Sequence, residues 1–275
     1  MPITPSLLLR PVSDEQFAII DEAVMRCAYA VQNKFGRLFD ERVYENDLAA
    51  RLRAEGFEVH TQVPIAVTHQ GFKTTYFLDL VVNHMLYELK VVATLTGEHD
   101  AQGLHYAMLQ DIPLVKLLNF GEQRVRGKLL RNALRTADRY HPTQRNSGLR
   151  FVTPNCERLV SYFKAIIHDW GTHLSNQLYN EALVDFFGGE AHCARRLELW
   201  NGSLLLGTHR VQLHADGYAF IVTSLSHDQT AFQQHLNVLL THANLSGIQW
   251  INLNHSRVEI TTIEAGIGSS MKTEE

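Results

Sequence analysis

Asp79, Glu88 and Lys90 are the residues in this chain whose types and spacing most directly suggest chemistry. Two apolar runs of strand length, residues 77–82 and 85–92, meet at Asn83-His84, which is the pattern of a β-hairpin. Side chains on a strand alternate between faces, so Glu88 and Lys90 point the same way. With Asp79 across the hairpin from Glu88, two carboxylates and one ammonium would share a small patch. Carboxylates that close repel each other unless a cation lies between them. Mg²⁺, held through one or two carboxylates and its own waters, would relieve that repulsion. A surface ion-pair ladder on a two-sided hairpin satisfies the same pattern, and the hairpin alone leaves both readings open.

The flanking segments read as the elements that would position this patch. Ser13-Asp14-Glu15-Gln16 forms a capping-box pattern. After it, Ile20, Ala23, Val24, Cys27, Ala28 and Val31 mark one face of a helix reaching Asn33 and broken by Gly36. A second helix is predicted over 40–55, stopped by Gly56. On it Glu41 shares a face with Tyr44, Leu48 and Leu52. Glu41 either favours the helix dipole while solvated or takes part in a metal site. Residues 57–67 alternate as a strand, and Phe72 leads into the Asp79 strand. A helix over 98–109 carries His99, Gln102, His105 and Tyr106, and a buried strand over 113–120 is closed by Gly121. The order helix, helix, three strands, helix, strand predicts an α/β or α+β unit of about 120 residues.

With 275 residues, 45% hydrophobic and 20% charged, the composition is that of a soluble globular chain with room for one large or two modest domains. No apolar run approaches the roughly 20 residues of a membrane span. Met1-Pro2-Ile3-Thr4-Pro5 lacks the pattern of a signal peptide. Cys27, Cys156 and Cys193 are widely separated, which suits a reducing cytoplasm and excludes a four-cysteine iron–sulfur or zinc site. A net charge of −4 offers no global attraction for a polyanion, so nucleic-acid binding must rest on local charge. The strongest local charge is Arg124, Arg126, Lys128, Arg131, Arg135, Arg139, Arg145 and Arg150, set against Glu122 and Asp138. If helical, Arg131, Arg135 and Arg139 form a positive stripe for phosphates; a solvated inter-domain helix fits equally. Residues 141–148 read as a linker.

A helix bearing Glu41, a strand bearing Asp79, the run Glu88-Leu89-Lys90 and a helix with Gln102-x-x-x-Tyr106 together resemble the PD-(D/E)XK nuclease superfamily. The Gln-x-x-x-Tyr element is similar to that of its RecB-like branch. More narrowly, residues 14–121 resemble the small bacterial GxxExxY family. The matching pieces are Glu41-Arg42-Val43-Tyr44-Glu45, Gln62-Val63-Pro64, Leu78-Asp79-Leu80-Val81-Val82, Glu88-Leu89-Lys90, His99-Asp100-Ala101-Gln102 and Leu118-Asn119-Phe120-Gly121. One position departs: Leu38 stands where that family has glycine. The resemblance implies a PD-(D/E)XK core, a mixed central sheet flanked by helices, and metal-dependent hydrolysis of phosphodiester bonds, DNA first with RNA open. It implies that Asp79, Glu88, the Leu89 carbonyl and Glu41 hold Mg²⁺ or Mn²⁺. Lys90 would position or deprotonate the attacking water or neutralise the transition state. Gln102 and Tyr106 would orient the lysine, the water or the nucleic-acid backbone from the neighbouring helix. His99 either caps its helix or touches phosphate or metal; His105 and His84 are expected at the surface. The alternative function is a non-catalytic nucleic-acid-binding or protein-interaction module that keeps the fold.

The second half reads as a degenerate copy of the first. The run from Gly171 through Asn176 and Tyr179 to Leu183 repeats Gly36 through Glu41 and Tyr44 to Leu48. Gln212 then answers Asp79, Ala219 answers Glu88 and Ile221 answers Lys90. The predicted organisation is a nuclease-like domain (1–125), a basic helix and linker (126–155), a silent repeat (156–265) and a disordered tail (266–275). That makes an intramolecular pseudo-dimer, with a homodimer as the other arrangement. The histidines at 168, 173, 209 and 214 match no clean metal spacing.

Overall fold

The computed structural model describes residues 2–265; the predicted tail lies outside them. The chain divides into two compact units, Met1–Arg139 and Tyr140–Glu275. The first contains β1 (Ile3–Pro5), α1 (Asp14–Phe35), α2 (Glu41–Ala54), β2 (Val59–His69), β3 (Phe72–Val82), β4 (Met85–Lys90), α3 (Gly97–Gln110), β5 (Leu114–Asn119) and β6 (Arg126–Arg131). Its sheet runs β1-β2-β3-β4-β5-β6, antiparallel throughout except for the β4–β5 pair. That parallel pair requires a crossover, and α3 supplies it.

The local signals explain the elements. Ser13 and Gln16 close both bonds of a capping box at the start of α1. Its buried face (Ile20, Ala23, Val24, Cys27, Ala28, Val31) packs with Tyr44, Leu48 and Leu52 of α2 and with Leu80, Tyr87, Leu89 and Leu118 of the sheet. Asn83 and His84 take φ of 44° and 69° in the β3–β4 turn, the paired left-handed backbone that a two-residue hairpin needs. The left-handed residue between α1 and α2 is Gly36 (φ 72°), two positions before Leu38, whose side chain is 92% exposed. The departure at Leu38 therefore costs this turn nothing.

The second unit contains β7 (Thr143–Gly148), α4 (Pro154–Trp170), α5 (Asn176–Phe186), α6 (Glu190–Cys193), β8 (Ala194–Asn201), β9 (Leu204–Ala215), β10 (Tyr218–Thr223), α7 (Gln229–Ala243), β11 (Gly247–Asn254) and β12 (Arg257–Glu264). Its sheet runs β7-β12-β11-β10-β9-β8, and β10–β11 is parallel with α7 as crossover. Apart from one added edge strand in each unit and the short α6, the elements follow the same order with the same pairings. β1 adds beside β2, whereas β7 adds beside β12.

Specific bonds repeat as well. Tyr44 Oη donates to the Gly36 carbonyl (3.0 Å) and accepts from Phe39 N–H (3.2 Å). Tyr179 Oη donates to Gly171 (2.8 Å) and accepts from Leu174 N–H (3.4 Å). Asn119 Oδ1 accepts from Val92 N–H, and its amide donates to the Val92 carbonyl; Asn252 makes the same pair with Leu225.

These bonds fix the correspondence between the units. Asn119 pairs with Lys90 and Asn252 with Thr223, so Lys90 answers Thr223 and Glu88 answers Ile221. Phe220 pairs with Gln212, which sets Val211 opposite Ile221 in the place of Asp79. The equivalences expected from sequence, Gln212 for Asp79, Ala219 for Glu88 and Ile221 for Lys90, are thus displaced. Glu41 and Asn176 both open their helices, α2 and α5.

The basic segment also differs from expectation. Residues 126–131 form β6, pairing antiparallel with β5, and a short 3₁₀ turn spans Thr136–Tyr140. There is no helical arginine stripe. Arg131 is exposed near Asp14, Arg135 is exposed, and Arg139 is buried, donating to the Met108 carbonyl. Arg139 is therefore a core residue and is not available to a phosphate backbone.

Candidate active site

The site lies where β3, β4, α2 and α3 of the first unit meet. Val82–Met85, Val81–Leu86 and Leu80–Tyr87 are cross-strand pairs, and the next step in that register sets Asp79 opposite Glu88. Every residue of β4 is buried, so Glu88 and Lys90 are drawn out of water with the apolar residues around them. Lys90 Nζ lies 2.7 Å from Glu88 Oε1. Charges so buried persist only when paired. The surface-ladder reading of this hairpin is thereby excluded.

Each carboxylate has distinct support. Asp79 Oδ2 accepts from Leu89 N–H at 2.9 Å, and its Oδ1 accepts from the Gln62 amide at 3.3 Å. The same Gln62 nitrogen donates to Glu45 Oε2 at 2.5 Å, while Arg42 pairs with Glu45 Oε1 at 2.7 Å. Glu41 Oε1 accepts from Val91 N–H at 3.3 Å, which sets it beside the end of β4. Glu88 Oε2 is buried without a hydrogen-bond partner.

The electrostatics follow from that crowding. Burial first, and then the charge of Asp79, push the Glu88 carboxyl up to about 8. Burial also raises Glu41, against the pull of Lys90. Burial opposes the charge on Lys90, yet attraction from Glu88, Glu41 and Asp79 prevails and its pKa rises. Tyr106 is pushed up to about 12, by burial and then by Glu88, and Gln102 donates to its hydroxyl at 3.2 Å.

These residues fit a hard divalent cation. Facing carboxylates and an orphaned carboxylate oxygen form an oxygen-rich donor set with unmet negative charge. No group of three or more His, Cys, Asp or Glu side chains is assembled to hold an ion among the described residues. The ion would rest on Asp79 and Glu88 with its own waters, the mode Mg²⁺ favours.

Asp79, Glu88, Lys90, Glu41, Gln102 and Tyr106 thus lie together at this corner of the unit. His99 closes the capping box of α3, one of its two expected roles, its Nδ1 accepting from Thr96 N–H at 2.8 Å. His105, expected at the surface, is buried with its ring 4.7 Å from that of Tyr76. Glu45 and Gln62 lie in the motif pieces quoted from the sequence but were given no role there. Glu45 lies one turn beyond Glu41 on α2, a detectable spacing. Gln62 carries a left-handed φ of 52° inside β2, and strain of that kind, which recurs at functional sites, leaves no compositional trace.

A family model described as the PD-(D/E)XK nuclease superfamily matches residues 18–131. The match runs from the second turn of α1 to the last residue of β6 and includes every residue of the site, over less than half of the chain. Comparisons with curated proteins and with solved structures give no significant match.

Proposed function

We propose that the first unit is a metal-dependent nuclease hydrolysing phosphodiester bonds, with DNA as the leading substrate. The observation that carries this reading is Glu88: buried, facing Asp79, paired to Lys90 and left with one unpartnered oxygen. The superfamily match over residues 18–131 supports it.

Asp79 and Glu88 would hold Mg²⁺ or Mn²⁺, with the Leu89 carbonyl and Glu41 at its margin. Such an ion supplies Lewis-acid stabilisation of a phosphate oxygen and a more acidic bound water. Gln62, steadied by Glu45, fixes the carboxylate plane of Asp79. Lys90 keeps a positive charge at the reacting centre, where it balances the charge growing on the phosphate. Tyr106 stays a neutral donor over the working pH range, oriented by Gln102. Arg131 and Arg135 remain candidates for backbone phosphates; His99 is a helix cap first.

The second unit supports the other reading for itself. Val211, Ile221, Thr223 and Asn176 supply no acid pair, so its part is to bind or to stabilise. The shared pairings and the repeated tyrosine and asparagine bonds favour descent from a duplicated GxxExxY-like unit. The three free, buried cysteines suit a reducing cytoplasm.

The test is cleavage of single- and double-stranded DNA and RNA with Mg²⁺ or Mn²⁺, beside Asp79→Ala and Glu88→Ala. Activity lost in both variants and with chelator supports the proposal. Absence of cleavage on all four substrates, with divalent-ion affinity unchanged by either substitution, would sink it.

A further inference from the structure

The second unit holds a cavity of about 430 Å³ bordered by the end of β9, α4 and the loop after α5. Arg158, Arg195, His192, His214, Phe186 and Phe187 line it, with Asp216 as the single carboxylate. Its size lies within the range of small-ligand sites, and its lining is cationic and aromatic in a chain of net charge −4.

The cationic groups are held in place. The Arg158 guanidinium lies 5.3 Å from the Phe186 ring centroid and 5.9 Å from that of Phe187, and one of its nitrogens donates to Asn155 Oδ1. Arg195 donates to the carbonyls of Ala191 and Ala194. His192 Nδ1 bonds the Gly188 carbonyl at 2.8 Å, which fixes the ring. A guanidinium preorganised in this way matches a phosphate fork to fork.

His214 is the most informative member. It is 4% exposed, its Nε2 lies 3.9 Å from Cys156 Sγ, and its Nδ1 is buried without a hydrogen-bond partner. It sits at a β-bulge: Leu213 pairs with Ala219 and Ala215 with Tyr218, leaving His214 as the extra residue. Bulges re-aim side chains and recur beside functional sites. The first unit has no such bulge, since Val81 and Val82 pair in sequence with Leu86 and Met85. Arg158 likewise takes the position on α4 that Ala23, a core residue, holds on α1, counted from the glycines that end each helix. Packing alone does not call for a histidine and an arginine at these positions.

We propose that this cavity binds the terminal phosphate of a nucleotide, with Arg158 and Arg195 as the charged fork. The proposal rests on the second unit alone and stands apart from the nuclease reading of the first.

The test is calorimetric titration of the full chain in EDTA with four probes: inorganic phosphate, a nucleoside 5′-monophosphate, and one oligonucleotide with either a 5′-phosphate or a 5′-hydroxyl. Saturable binding of phosphate-terminated probes is expected, weakened at least tenfold by Arg158→Gln and by Arg195→Gln. Both are exposed positions, so folding should survive. Preference for the 5′-phosphorylated oligonucleotide assigns a strand end, and preference for the monophosphate a free nucleotide. No binding of any probe, equal binding of the two oligonucleotides alone, or affinity untouched in both arginine variants overturns the proposal.

Discussion

The two units differ least where they fold and most where chemistry would occur. Gly36 and Gly171 end their helices with φ of 72° and 73°; Tyr44 and Tyr179 tie the same loop; Asn119 and Asn252 hold the chain leaving β4 and β10. Asp111 and Asn244 close α3 and α7 in the same left-handed conformation, which sets Tyr106 against Leu239. Yet Asp79, Glu88 and Lys90 correspond in register to Val211, Ile221 and Thr223, and the second set includes residues packed among apolar neighbours. Turns and pairings carry the fold, whereas a few buried polar side chains carry the site. The first unit bears the cost of burying charge, and the second places Val211, Ile221 and a Thr223 bonded to Asn252 and Trp250 at the corresponding positions.

The largest expected effect breaks that contrast directly. Asp79→Ala or Glu88→Ala should lower cleavage by about 10³-fold or more. Val211→Ala should change thermal stability and leave the cleavage rate of the full chain within about twofold. Loss of cleavage in Val211→Ala, with the fold intact by circular dichroism, would put chemistry in both units. Next in size is the Gln62 support: Gln62→Leu should reduce metal affinity or activity by about 10- to 100-fold, as for other residues that orient a ligand. Arg195, its counterpart opposite Val211, should be dispensable for cleavage.

Much of this contrast was legible in the sequence. The hairpin, the capping box at Ser13 and the glycine–tyrosine repeat are local signals. The polar residues of the hairpin stood out because strand cores are apolar. The exact match of the second site was not legible. Strand alternation has a period of two, so sliding β10 by two positions leaves a plausible apolar pattern, and the extra residue at the β9 bulge moves the count there by one. The long-range Asn252 bonds and the Phe220–Gln212 pair fix the register. The arginines at 131, 135 and 139 imitate a helix face by their spacing of four, but pairing with β5 decides for β6, and burial claims Arg139. Gln62 was missed because its role depends on contacts with both α2 and β3.

Two smaller effects sharpen the comparison. Tyr44→Phe and Tyr179→Phe each remove one hydroxyl that joins a carbonyl and an N–H, and each should cost about 1–3 kcal/mol in chemical denaturation. A cost in only one unit would mean that the repeated bonds do unequal work. Acid should act on both units through buried histidines. Burial and then Arg139 hold His105 down to about 3, and burial holds His214 down to about 4. An unfolded histidine titrates near 6.5. Each folded pKa is depressed, so the stability they lend is complete above pH 6.5 and lost as pH falls toward 3 to 4, by roughly 1 kcal/mol per pH unit for each. His105→Phe should flatten the fall in melting temperature between pH 7 and 5 for one unit alone.

The most direct measurement is Mn²⁺ binding to the full chain, by calorimetry and electron paramagnetic resonance, in wild type, Asp79→Asn, Glu88→Gln and Asn176→Ala. The metal-site reading predicts saturable binding that Asp79→Asn and Glu88→Gln abolish and Asn176→Ala leaves intact. Binding that survives both carboxylate substitutions, or that falls with Asn176→Ala, would contradict it.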